Sequence, residues 1–154
     1  MKIFDCTLYY DEDLILDARL NILDPYIDKF IICEALFSHS GRKKELNFDI
    51  NKFPRFKDKI IYIVQETEPK DIIYKENSKK SEDPSNWRAN AVKRIAHQRN
   101  KLLEEVNKHA DEDDYILYSD NDEIPNLDLH NIRNEKSKII IFEQDLYYYK
   151  FNLL

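Results

Sequence analysis

Two acids, one residue apart, follow a hydrophobic stretch in Tyr115-Ile116-Leu117-Tyr118-Ser119-Asp120-Asn121-Asp122-Glu123-Ile124-Pro125. Carboxylate oxygens are hard ligands that suit Mg²⁺ or Mn²⁺, and holding such acids together is costly unless a cation neutralises them. Asp120 and Asp122 are therefore the candidate metal ligands. An ion held there would clamp a diphosphate, which lets an acidic protein bind an anionic nucleotide. The competing reading is an acidic turn that caps the next helix through Asp122 or Glu123. An EF-hand is excluded, because counting from Asp120 puts Pro125 where that loop needs glycine. A dehalogenase-type phosphotransferase also carries Asp-x-Asp after a strand, but usually after the first strand, whereas here it follows the fourth.

Arg99 is the second candidate. At about 100° per residue, Val92, Ile95, Leu103 and Val106 fall within roughly 40° of it. That phase predicts an arginine on the apolar face of a helix, where it needs an anionic partner. The partner is either a ligand phosphate or a core acid such as Glu34, unless the side chain snorkels past the helix edge. Glu34 ends a β-branched run and points either into a ligand cleft or at Arg99 or Arg19. Ser38-His39-Ser40-Gly41-Arg42-Lys43-Lys44 combines hydroxyls, positive charge and a glycine. It suits an anionic or hydroxylated ligand, or is a solvated basic loop. Tyr147 to Tyr149 form either a sugar-stacking platform or a strand with alternating faces. His97 lies off the Arg99 stripe and is expected to face solvent. The two cysteines and four histidines show no zinc spacing, and no Ser/His/Asp set is visible.

The elements that must carry these groups alternate between strand and helix. Strands are expected at Lys2 to Leu8, Lys29 to Ala35, Lys59 to Gln65, Asp114 to Ser119 and Lys138 to Phe142. Helices are expected at Asp11 to Leu23, with Leu14, Ile15, Ala18, Ile22 and Leu23 at helical spacing, and at Trp87 to Asn107. Pro125 to Ile132 reads as a short helix or turn, and residues from about 66 to 86 as a mobile loop. Continuous apolar strands alternating with helices describe an α/β fold in which helices cover a mostly parallel sheet. In such a sheet, ligands bind at the carboxyl ends of the strands.

Length and composition narrow the classes further. A chain of 154 residues with 42% hydrophobic residues is a single domain, spanning 1–154, with enough apolar mass for a core. Lys and Arg number 24 against 30 Asp and Glu, so the net charge of −6 argues against a nucleic-acid binder. Only one glycine occurs where average usage of about 7% would give roughly 11. Walker loops, dinucleotide fingerprints and kinase loops are thereby excluded. No apolar run approaches the roughly 20 residues that span a bilayer, so no transmembrane segment is expected. Met1-Lys2-Ile3-Phe4-Asp5 meets an acid at once, so no signal peptide is expected there. Cys6 and Cys33 lie in apolar segments and read as reduced core thiols of a cytoplasmic protein.

Taken in order, these segments resemble glycosyltransferase family 17, the β-1,4-mannosyl-glycoprotein β-1,4-N-acetylglucosaminyltransferase-like family. Phe4-Asp5-Cys6, then Asp11-Glu12-Asp13-Leu14 and Arg19-Leu20, resemble the family's opening strand and its Asn-Glu-x-x-x-Leu-x-x-Arg-Leu helix, with Asp11 where Asn is usual. Asp28-Lys29-Phe30-Ile31-Ile32-Cys33-Glu34-Ala35 resembles its Val-Asp-x-Phe-Val-Ile-x-Glu-Ala strand. Ser40-Gly41-Arg42-Lys43-Lys44 is similar to its Gly-x-x-Lys loop, with Lys43 in place of a common Pro. Gln98-Arg99 and Ser119-Asp120-Asn121-Asp122-Glu123-Ile124-Pro125 match its Gln-Arg and Ser-Asp-x-Asp-Glu-Ile-Pro. Five motifs in the right order span nearly the whole chain.

The resemblance implies a GT-A-like fold and a metal-dependent, inverting transfer of N-acetylglucosamine from a UDP-sugar donor to a glycan acceptor, with Mn²⁺ or Mg²⁺ on Asp120 and Asp122. Asp5, Glu34, Lys44, Arg99 and Asp120 would then surround the donor, and Glu143 and Asp145 are the in-chain candidates for the base. Family members continue past the point equivalent to Leu154, so the fold is expected to be incomplete at its C-terminus, with a partner chain as one source of the rest. The alternatives are a donor-binding half-enzyme, inactive alone, and a metal-dependent phosphohydrolase.

Overall fold

The computed structural model describes residues 1–73, 83–129 and 131–145. Its elements run β1 (Ile3–Tyr9), α1 (Asp13–Leu23), β2 (Lys29–Ala35), β3 (Ile60–Gln65), α2 (Pro84–His109) and β4 (Tyr115–Tyr118), with single 3-10 turns at Ile50–Lys52, Pro54–Phe56 and Ile132–Asn134. The four strands form one sheet in the order β3-β2-β1-β4, and every pairing is parallel. The α/β, GT-A-like expectation holds.

Both faces of the sheet are covered, which is why β1 and β2 read as nearly unbroken apolar runs. Strand residues alternate between faces. Ile3, Tyr9, Phe30 and Ile32 pack with Leu16, Leu20 and Leu23 of α1 and with Phe53 and Phe56. Phe4, Cys6, Ile31 and Cys33 pack instead against Leu102 and Val106 of α2. Phe48 completes the first layer, stacking on Tyr62 at 4.4 Å and meeting Tyr9 edge-on at 5.7 Å between centroids. Both cysteines are buried and unpaired, as expected, and burial pushes the Cys33 thiol up to about 12. No helix among the described residues is long and apolar enough to cross a membrane.

Three sequence expectations fail, two of them for a shared reason. On α1 the buried residues are Leu16, Arg19, Leu20 and Leu23, whereas Leu14 and Ile22 face solvent. On α2 the buried row is Asn90, Arg94, Gln98, Leu102 and Val106, and Val92, Leu103 and Arg99 are exposed. In each helix the inward face carries polar residues that make specific bonds, so counting apolar residues finds the wrong phase. The segment Lys138 to Phe142 is not a strand. Ile140 packs against the core, but Ile139 and Ile141 are exposed and the segment has no ladder partner among the described residues. Without a ladder, an apolar run stays irregular.

α2 begins three residues earlier than expected. Pro84 occupies its first turn, and Asp83 accepts from the Asn86 N–H. Residues 66–73 are stitched to this helix by Glu68 on Arg94, Asp71 on Lys93, and Ile73, whose N–H and C=O both bond the Asn90 amide. The rest of the expected loop between α2 and β3, residues 74–82, lies outside the described residues, as do Tyr147 to Tyr149.

Candidate functional site

The chain crosses from β3 through α2 to β4, which lies on the other side of β1. The strand order therefore reverses between β1 and β4, and in α/β sheets the crevice at the carboxyl ends of such strands is where ligands bind. A cavity of about 710 Å³ opens there. Its walls are the end of β1 (Leu8, Tyr9, Tyr10), Glu12 and Ile15 at the start of α1, Ala35 at the end of β2, the loop residues Phe37 to Ser40, Lys44, Gln98 of α2, and Asp120, Asn121 and Asp122 after β4. A smaller cavity of about 350 Å³ lies beside Ile3, Tyr26 and Arg133, away from these strand ends and from the paired acids.

The acidic turn is held by one buried arginine. Arg19 projects from α1 and is fully buried, as is Asp5 of β1. Its Nε and Nη2 grip the two Asp5 oxygens at 2.8 and 2.7 Å. Nη1 donates to the backbone carbonyls of Asp120 (2.9 Å), Glu123 (3.1 Å) and Asn121 (3.3 Å), and Nη2 donates to Ser119 Oγ (2.7 Å). Thr7 Oγ1 donates to the Ser119 carbonyl, and Glu123 Oε2 accepts from the Asp120 N–H. Guanidinium donors thus replace the hydrogen bonds that the turn cannot make to itself. The side chains of Asp120 and Asp122 are left exposed. Asp5 is spent on this clamp and does not line the cavity.

The opposite wall is fixed by a second buried acid. Glu34 is completely buried; it accepts from Lys44 Nζ, from the N–H groups of Asn47 (2.8 Å) and Phe48 (3.1 Å), and from the Tyr62 hydroxyl (2.8 Å). Burial, followed by the bond to Glu34, pushes the Tyr62 hydroxyl up. Glu34 therefore faces the loop and not the ligand space, and Lys44 reaches the cavity from an anchored position, 5.0 Å from the centre of the Tyr10 ring. The same loop is pinned from α2. Arg94 is buried, pairs with Glu68 at 2.6 Å and donates to the His39 carbonyl at 3.3 Å. It lies so close to Gly41, at φ +86°, that an added Cβ would stand 2.5 Å from its Nη2.

Arg99 meets neither Glu34 nor the core. Its guanidinium lies over the Tyr118 ring at 5.3 Å and reaches Asp120 Oδ1 at 3.4 Å, both partners half exposed. His97 is half-buried, with Nε2 2.7 Å from the Gln65 amide. Glu143 and Asp145 are exposed and do not line the cavity. Arg94 and Asn121 escaped the sequence reading. The four-residue step Asn90, Arg94, Gln98, Leu102 was the signal for Arg94; nothing in the sequence marks Asn121 apart from its place between two acids.

Among the described residues no three His, Cys, Asp or Glu side chains come together as a metal cage. A pair of carboxylates suits an ion of another kind, one that takes one or two protein oxygens and completes its shell with water and phosphate. Asp120 and Asp122 both line the cavity with exposed side chains, and such a pair is what that kind of ion would use. No curated protein and no solved structure matches this sequence. The model of one protein family does, over residues 1–154. Its match takes in the clamp, the acidic turn and the Glu34-anchored loop alike, and by it the chain belongs to glycosyltransferase family 17.

Proposed function

We propose that the chain transfers N-acetylglucosamine from UDP-N-acetylglucosamine to a glycan hydroxyl, with inversion, using Mn²⁺ or Mg²⁺ held by Asp120 and Asp122. The observation that carries this reading is the position of the acid pair: exposed, on a turn fixed by Arg19, in the cavity at the carboxyl ends of β1, β2 and β4. A sugar donor and an acceptor follow from the family; the UDP and N-acetylglucosamine identities follow the family likeness of the motifs.

An ion held by Asp120 and Asp122 would supply positive charge against the diphosphate leaving group. The remaining steps belong to the chain. Asp120 and Asp122 stand on backbone that does not have to be ordered on binding, because Arg19 already holds the Asp120, Asn121 and Glu123 carbonyls. Arg99, held against Tyr118, brings a positive charge to the rim beside Asp120. Lys44 adds a second from the opposite wall. Glu34 and Asp5 are positioning residues, one behind each wall. Glu143 and Asp145, standing outside the cavity, are not assigned the base.

Calorimetry with UDP, in the presence and absence of Mn²⁺, tests the reading. Wild-type protein is expected to bind UDP with metal-dependent affinity, and Asp120→Ala and Asp122→Ala to lose that dependence. Metal-dependent affinity that survives both substitutions would remove these two residues from the site.

A further inference from the structure

Asn121 lies between the two acids and lines the same cavity, yet it is only 7% exposed. Among the described residues, its amide nitrogen and oxygen are the buried side-chain polar atoms with no hydrogen-bond partner. Every other buried polar group in or directly behind these walls is engaged. Gln98 donates to the Cys33 carbonyl at 2.8 Å, Glu34 is saturated, and Arg19 and Asp5 are paired. An orphaned buried amide costs stability that a small apolar residue would not. Its backbone is not free to relieve that cost, because Arg19 holds the Asn121 carbonyl and those of Asp120 and Glu123. Only the side-chain torsions remain to find the amide a partner, and the space Asn121 lines is the cavity.

We propose that Asn121 reads the transferred sugar of the donor, an inference that rests on the donor reading above. A primary amide offers a donor and an acceptor side by side. Its complement is a group with the same pair reversed: an acetamido substituent, or two neighbouring hydroxyls. Diphosphate oxygens only accept and would leave the amide oxygen orphaned. The sugar is joined directly to the diphosphate that the flanking acids hold, so its substituent next to the anomeric carbon is the nearest such group; the uracil is a ribose farther away. The amide is thus unsatisfied in the free protein and satisfied in the complex. A site built to hydrogen-bond a substrate group discriminates strongly against a ligand that lacks it.

The test is calorimetry at fixed Mn²⁺ with UDP, UDP-glucose and UDP-N-acetylglucosamine on wild type and Asn121→Ala, alongside the melting temperature of each ligand-free protein. Asn121→Ala is expected to bind UDP within twofold of wild type, to lose about tenfold in affinity for UDP-N-acetylglucosamine, and to melt no lower than wild type. A loss confined to UDP-N-acetylglucosamine identifies the acetamido group; an equal loss for UDP-glucose identifies the hydroxyls. Unchanged affinity for both sugar nucleotides, or equal weakening of all three ligands, overturns the inference while leaving the donor reading in place. A fall in melting temperature without selective loss of the sugar nucleotides assigns Asn121 a structural bond and overturns it too. Wild-type protein that binds none of the three overturns the donor reading itself, and the inference with it.

Discussion

Arg19 spends all its donors in one buried cluster, and the acidic turn depends on it. Removing one member of a buried ion pair strands the other charge, which is far costlier than the pair's net contribution. Arg19→Met is therefore expected to lower unfolding free energy by about 3–5 kcal/mol in urea denaturation. Arg99→Met, which breaks an exposed 3.4 Å contact, is expected to change it by less than about 1 kcal/mol. Equal effects would mean that the Asp5 pairing does not order the turn. Gly41 is the other residue whose identity is forced. Alanine there must adopt φ near +86° and push its Cβ into Arg94, so Gly41→Ala is expected to cost about 1–2 kcal/mol by thermal unfolding. The family-like motifs had made Asp5 and Glu34 donor contacts. Each is instead a buried acid with its oxygens fully used, and that distinction could not be read from residue type: a carboxylate at a strand end looks the same whether it faces a ligand or an arginine.

At the scale of elements, the short edge strand β4 is held at its start by Asp114. This carboxylate accepts from the Lys2 N–H at 2.5 Å and from the Asp111 N–H at 2.9 Å, and those two backbone bonds hold its pKa below the usual carboxylate value. A group whose folded pKa is lowered contributes stability above its unfolded pKa, about 3.9, and loses it as pH falls through the folded value. Asp114→Asn is therefore expected to melt below wild type at pH 7, with the gap closing as pH drops below about 4. A gap that is constant across that range would mean the carboxylate charge plays no part. The helices tell a different story. The sequence located both, but phased both wrongly, because Arg19, Asn90, Arg94 and Gln98 belong to the buried faces that an apolar stripe was expected to fill.

For the whole molecule, the walls of the cavity come from five separate parts of the chain: the end of β1, the start of α1, the end of β2 with the loop after it, α2, and the turn after β4. A ligand that bridges them binds only the folded chain and must stabilise it by mass action. UDP and Mn²⁺ together, at about 100 times the dissociation constant, are expected to add about 2.7 kcal/mol. For a chain of this size that is roughly 5–11 °C in melting temperature. Either component alone should give a much smaller shift. Equal shifts from UDP with and without the metal would argue against a metal-bridged diphosphate.

The order of motifs, the alternation of strand and helix and the shortage of glycine were enough to specify an α/β sheet, the family, and the acid pair at a strand end. Those features are local or ordered along the chain, so a linear reading reaches them. Which acids face the cavity and which are buried in the fold depended on contacts between residues far apart in sequence. Asp5 meets Arg19, and Arg19 meets the 119–123 turn roughly a hundred positions later. Burial is a property of the assembled packing, and a polar side chain reveals its inward position only when its partner is brought beside it.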